Sequence, residues 1–421
     1  MKKTLLLSVV ASTMIMAGGD IAPVEPVVET PVVAEASGWD FGGQGVVYYQ
    51  TRDTHNDDLF SKEASKAAVG LQLRAVNKDL IGGVGAGFEL SGITHAGLYD
   101  DVVTGLVQSA GNGGNNDLSS SAALTQAYLT YGIGNTSIKV GRQQLPKALS
   151  PFAFSEGWNV FKNTFGAALI VNTDITDTTL VYAWVHGANN IFNLGDFEKA
   201  NGTDGVHMLT VQNKSVEGLT LTGTWYYGAD YADNNLGLNS GNDLNILWGD
   251  AKFAISDYTI GVQGGTWMDD DFADDVVAYG AKVGAKFGMF DASVAFSSVD
   301  EGGIAGTTMR EIGGVKTPLY TQMILNQGII SYDADYLKVA VGAKALGGKF
   351  GLAYGYAVNH LDDVAGGADN NPYELDVTYK TKVFNDSTTL FAGYVLTDAD
   401  DNAVNNGDSQ NMIRVWGRYN F

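Results

Sequence analysis

The chain has no cysteine, which excludes a disulfide framework and any lipid anchor on an N-terminal Cys. Beyond the N-terminus it also lacks any run of about 18 consecutive apolar residues, so no transmembrane helix is expected. Basic residues are scarce: 25 Lys and Arg stand against 47 Asp and Glu, for a net charge of −22. Nucleic acid is therefore not an expected partner for this surface. Histidine is rare as well. His55, His95, His186, His207 and His360 are the full set, and no G-x-S-x-G accompanies them. A nucleophile with its base is not in evidence, so an enzyme is not expected and no cofactor is called for. Proline numbers only 7, three of them between positions 20 and 37.

What is present points elsewhere. Glycine reaches 54, about twice the usual share, beside 20 Tyr, 18 Phe and 7 Trp. Lys2 and Lys3 precede an apolar run, Leu5–Met16, and the small residues Ala17, Gly18 and Gly19. That layout predicts a signal peptide over 1–19, too short to span a bilayer. The stretch 20–38 is rich in Pro, Val and Glu and reads as an extended periplasmic spacer. An exported chain without a spanning helix is either soluble or a closed sheet, because backbone groups in hydrocarbon must pair within the protein.

From Trp39 onward the period is two. Val277, Tyr279, Ala281, Val283, Ala285 and Phe287 share one face, with Ala278, Gly280, Lys282, Gly284 and Lys286 on the other. Phe350, Leu352, Tyr354, Tyr356 and Val358 likewise oppose Lys349, Gly351, Ala353, Gly355 and Ala357. A soluble sandwich would alternate too, but these runs reach the roughly 9–11 residues of a tilted membrane strand and carry aromatics near their ends. Strands are predicted near 39–50, 65–77, 81–92, 122–134, 136–146, 166–175, 178–188, 204–214 and 216–229. The rest fall near 242–254, 257–268, 275–287, 289–299, 335–345, 348–358, 372–384, 386–397 and 410–421. Links of a few residues, such as Gly134–Asn135 and Gly347, alternate with long ones such as 93–121 and 300–334. That sorting predicts a transmembrane antiparallel β-barrel over 39–421, of about eighteen strands, with short periplasmic turns and long extracellular loops. The closing strand places Ile413, Val415, Gly417, Tyr419 and Phe421 on one face, a pattern that resembles the C-terminal signal read by the barrel-assembly machinery.

A barrel of this size encloses an open lumen unless something fills it. The segment 147–165 (KALSPFAFSEGWNVFKNTF) is the candidate for an inward-folded constriction loop, with Glu156 and Lys162 facing wall cations. Strand parity turns Gln72, Arg74, Arg414 and Arg418 inward. Opposed charges at such a ring orient solutes and bias ion passage; alternatively Glu156 and Lys162 only tie the loop down. Arg142 is in phase with Ile138 and Val140, a lipid-ward direction. Net acidity suggests a weak cation preference. The acidic groups Asp53, Asp57 and Asp58, Asp269–Asp271 with Asp274 and Asp275, and Asp398, Asp400 and Asp401 offer oxygen ligands to Ca2+. None has the spacing of a defined calcium loop, so solvated loop charge is the favoured reading.

Three stretches carry a family resemblance: Asn163–Val185 (NTFGAALIVNTDITDTTLVYAWV), Thr317–Gly328 (TPLYTQMILNQG) and Ser137–Leu145 (SIKVGRQQL). They resemble the major outer-membrane porins of epsilonproteobacteria. The resemblance implies an eighteen-stranded, trimeric general porin whose third long loop forms the constriction, and it supports Glu156 and Lys162 by position. The Pro/Val/Glu spacer departs from that pattern. The expected function is passive diffusion of ions and small hydrophilic solutes across the outer membrane, whose lipid the barrel wall would meet. A substrate-specific channel and a surface adhesin or structural barrel are the alternatives.

Overall fold

The computed structural model describes residues 38–54, 56–111, 121–189, 191–231, 242–268, 275–300, 317–326, 333–360, 371–398 and 409–421. The expected signal peptide and the spacer up to residue 37 lie outside the described residues. So do His55 and, in the acidic groups, Asp269–Asp271, Asp274, Asp400 and Asp401.

Twenty strands follow in order: β1 (Asp40–Arg52), β2 (Ser65–Ile81), β3 (Val84–Thr94), β4 (Gly105–Leu106), β5 (Ser121–Ile133), β6 (Thr136–Gln143), β7 (Phe165–Asn172), β8 (Thr178–Asn189), β9 (Phe197–Lys199) and β10 (Val206–Asn213). The remainder are β11 (Leu219–Gly228), β12 (Leu244–Ile255), β13 (Tyr258–Met268), β14 (Val276–Phe287), β15 (Phe290–Val299), β16 (Ala334–Ala345), β17 (Gly348–Asn359), β18 (Tyr373–Val383), β19 (Thr388–Asp398) and β20 (Gln410–Asn420). All but β4 and β9 form the wall, so the eighteen strands expected from the alternation are present. The short β4 pairs in parallel with the upper end of β2, and β9 with the end of β8.

Every wall strand is antiparallel to its neighbours, and β1 pairs with β20 from Gln44↔Asn420 to Arg52↔Met412. That last ladder closes the cylinder, so every wall strand is paired on both sides. Short turns gather at the end where β1 begins and β20 finishes. Between β16 and β17, Leu346 and Gly347 both have positive φ, 52° and 73°, the conformation a two-residue hairpin turn requires.

The two faces of the wall differ as a bilayer demands. Val47, Leu71, Leu129, Leu247, Val262, Val283 and Leu352 point outward and stay exposed. Phe41, Tyr131, Tyr258, Phe290 and Tyr419 ring the short-turn end, while Trp225 and Tyr279 stand toward the other. An apolar band between aromatic girdles is the exterior of an outer-membrane barrel. The chain is an outer-membrane protein.

The packed core lies inside the lumen. Along β7–β15 the inward face is itself apolar toward the long-loop end, with Val181, Val185, Met208, Tyr226, Ile246, Trp248 and Trp267 all buried in one cluster. Water does not cover that surface. Folded-in loop residues Leu145, Leu149, Phe152 and Leu319 do, which removes apolar area from water and supplies the driving force for the loop to enter.

Candidate functional site

The segment between β6 and β7 crosses the lumen from one wall to the other, close to the predicted bounds. At one end Phe152 stands edge-on to Tyr226 (5.8 Å, 89°) and Trp248 (5.4 Å, 89°). Its N–H donates to the Tyr226 hydroxyl at 3.1 Å. At the other end the Tyr48 hydroxyl donates to the Trp158 carbonyl at 2.9 Å. The Arg414 guanidinium lies 4.4 Å from the Trp158 ring centre and 5.4 Å from that of Tyr48. Arg418 donates to the carbonyls of Val160 (3.0 Å) and Asn159 (3.3 Å). Phe161 is bracketed by the Gln108 amide and pressed against Gly70, where a Cβ would sit 2.7 Å from the ring. Gly70 is what lets the loop lie on β2.

A second segment, 317–326, also runs inside. The long connection 300–334 is predicted as an extracellular loop; within it these residues instead pack against the inner wall, so this part of the expectation is corrected. Tyr320 donates to the Asp250 carboxylate at 2.6 Å, and Lys252 pairs with the same carboxylate at 3.3 Å. Burial and the Asp250 charge push the Tyr320 phenol well above its ordinary pKa, so it remains a donor. The Tyr320 ring lies over Gly261, and Met323 over Gly355, positions where a Cβ would collide with them. Lys338 donates to the Gln322 carbonyl at 2.6 Å. Glu374, buried beside Asp376, accepts the N–H groups of Leu325 (2.8 Å) and Asn326 (2.5 Å). The two loops meet at Lys147, which donates to Gln322 Oε1 (3.0 Å) and the Thr317 carbonyl (3.3 Å).

The predicted site residues fall as follows. Glu156 and Lys162 sit on the crossing loop, both half-buried, with the Glu156 N–H held by Asn163 Oδ1 at 2.8 Å. Gln72 faces inward but is buried in a chain from Gln44 (2.5 Å) to Ser91 (2.7 Å). Arg74 faces inward and is exposed. Arg414 and Arg418 face inward and grip the loop. Arg142 has the outward parity expected for it, yet its guanidinium turns back to Thr164 Oγ1 (2.8 Å), the Leu194 carbonyl (2.6 Å) and Asn189 Oδ1 (3.1 Å). It clasps loop segments at the rim. Tyr419 and Phe421 point outward, stacked 5.9 Å apart. Among the acidic groups, Asp53 takes the backbone N–H and side-chain amide of Asn411, and Asp57 accepts from Thr54. Among the described residues no three His, Asp or Glu gather to hold a metal ion.

Missed from the sequence were Lys147, Tyr320, Asp250 and Glu374, which together seat the second loop. A signal for them exists. Thr317–Gly328 has no charged residue, an unusual stretch for a loop that faces water.

Inward charge is distributed unevenly. Register places Arg74, Lys139, Lys252, Lys286, Lys344, Lys349, Lys380, Lys382 and Arg418 on inner positions of the short-turn half. Asp40, Glu89, Asp250 and Asp291 join them from the wall strands at that level, Glu89 as the direct cross-strand partner of Arg74. Nearer mid-wall, Lys282, Lys338 and Arg414 share the inner face with Glu374 and Asp376, all of them buried. The arrangement offers a narrowed, charged, water-facing path.

A closed cylinder with this strand number and two inward loops can be set beside solved structures. The chain superposes on OccAB2 of Acinetobacter baumannii with a TM-score of 0.70 at 15% identity, covering 92% of this chain and 99% of that one. The fold is that of Gram-negative outer-membrane channels. OccK8 (OprE) of Pseudomonas aeruginosa gives 0.70 at 14% identity, covering 91% and 98%. OpdK of the same organism, solved with vanillate, gives 0.66 at 15%, covering 91% and 98%. No family model matches the chain, nor does any curated protein.

Proposed function

We propose that the protein is a diffusion channel for small hydrophilic solutes with a preference for anions, small carboxylates foremost. One observation carries the reading: inside a chain of net charge −22, the inner wall of the short-turn half is dominated by Lys and Arg. Net charge counts every surface, whereas a permeating ion responds to the field of the side chains it passes. The cation preference suggested by composition therefore gives way to an anion preference. That OpdK, a structural relative, is solved with vanillate, a carboxylate, agrees with this chemistry. The two seated loops narrow the path, which favours selectivity over a wide general pore. Glu156 and Lys162, half-buried on the crossing loop, would meet the solute at the narrowest level. The exposed Tyr419 and Phe421 pair is the feature the assembly machinery would read.

The test is the reversal potential of the purified protein in planar bilayers across a KCl gradient. Chloride preference is expected, fading as salt rises and screens the lumen. Preference for potassium would refute the proposal. Liposome swelling with carboxylates against sugars of similar size then distinguishes selective from general passage.

A further inference from the structure

Lys344, Lys349 and Lys380 are direct cross-strand partners on β16, β17 and β18: Lys344 faces Lys349, and Lys349 faces Lys380. All three are on inner positions. Like charges placed opposite one another weaken a sheet, so the row has a cost that folding alone does not recover. Only Lys349 is compensated, by Asp291 at 2.5 Å. Gly342 makes room for that pair, since a Cβ there would overlap both Lys349 Cε and the Asp291 carboxylate. Among the described residues neither Lys344 nor Lys380 has a side-chain hydrogen bond or ion pair. Lys382 and Lys286 stand nearby with exposed side chains and add to the same positive field. With strands about 4.8 Å apart, the row spans about 10 Å. A single chloride meets one or two of these ammonium groups; an anion with two separated charged groups meets all three.

We propose that this row is a binding site, at the periplasmic end of the lumen, for anions carrying two or more charged oxyanion groups, of which inorganic diphosphate is the simplest probe. The inference deepens the anion-path reading and uses the same inward parity. Such an anion bridges Lys344 and Lys380 across Lys349 and lingers where monovalent ions pass. Its residence blocks the current.

The experiment adds inorganic diphosphate to each side in turn during KCl recordings of the full-length protein in planar bilayers. Block is expected from the short-turn side. The double variant Lys344→Gln with Lys380→Gln leaves Lys349 to satisfy Asp291, and continued KCl conduction reports that it is folded. Its half-blocking concentration should rise at least about tenfold, since two of three close charges are gone. Arg74→Gln with Lys139→Gln removes the same charge from β2 and β6, and should shift block less than about threefold. No block of the parental channel, or equal weakening in both double variants, overturns the site. Chloride preference without block defeats this site and leaves the anion path intact. Block in a channel that prefers potassium defeats the anion path and leaves the site.

Discussion

Removing the Phe152 ring should release one end of the crossing loop without opening the wall. Phe152 is fully buried and sits among Tyr226, Trp248 and Trp267, at 5.8, 5.4 and 6.3 Å between ring centres. Phe→Ala at such a site costs about 3–5 kcal/mol, in which the lost edge-to-face pairs are included. At 1.4 kcal/mol per factor of ten, a loss of about 4 kcal/mol shifts the local docked-to-undocked balance by roughly a thousandfold. The N–H bond to Tyr226 survives in Ala, and no wall hydrogen bond is touched. Phe152→Ala should therefore still fold, run as a heat-modifiable barrel on gels, and conduct more, with noisier open states. Phe152→Leu, which keeps much of the apolar volume, should lie between. A folded Phe152→Ala channel with unchanged conductance and noise would refute the claim that this ring anchors the constriction.

Three further outcomes follow from the same geometry. Gly70→Ala places a methyl into the Phe161 ring; an overpacking cost of about 1–3 kcal/mol is expected as a lowered melting temperature, with altered conductance. Lys147→Met cuts the tie between the two loops at Gln322 and Thr317, and should raise current flicker while reversal potential moves little. On β13 the parity of adjacent residues can be tested directly: Val262→Arg puts a charge on the lipid face and should lower stability by about 2–4 kcal/mol in refolding into vesicles. Gln263→Arg, facing the lumen, should refold far better; equal behaviour of the pair would contradict the assigned faces.

Much of the wall is legible in the linear chain because strand alternation is local. Residues two apart share a face whatever else the protein does, so 277–287 and 349–358 declare their faces without any tertiary knowledge. The inward direction of Gln72, Arg74, Arg414 and Arg418 follows from parity in the same way. The alternation blurs along β7–β8, where Val181, Ala183 and Val185 are apolar yet inward, because those residues cover a loop instead of water.

What the sequence by itself determined, then, is the closed sheet: strand count, sorted turns, outer face and the loop that enters the lumen. Only the tertiary structure decided where that loop lands, that 317–326 enters as well, and that Arg418 donates to the loop's carbonyls while Arg414 donates to Gln50 of the wall and lies against the Trp158 ring. It also decided which charges line the lumen. Charge adds up along a chain regardless of position, but a solute in the lumen meets only the side chains turned toward it, and strand register places Lys344, Lys349 and Lys380 side by side there.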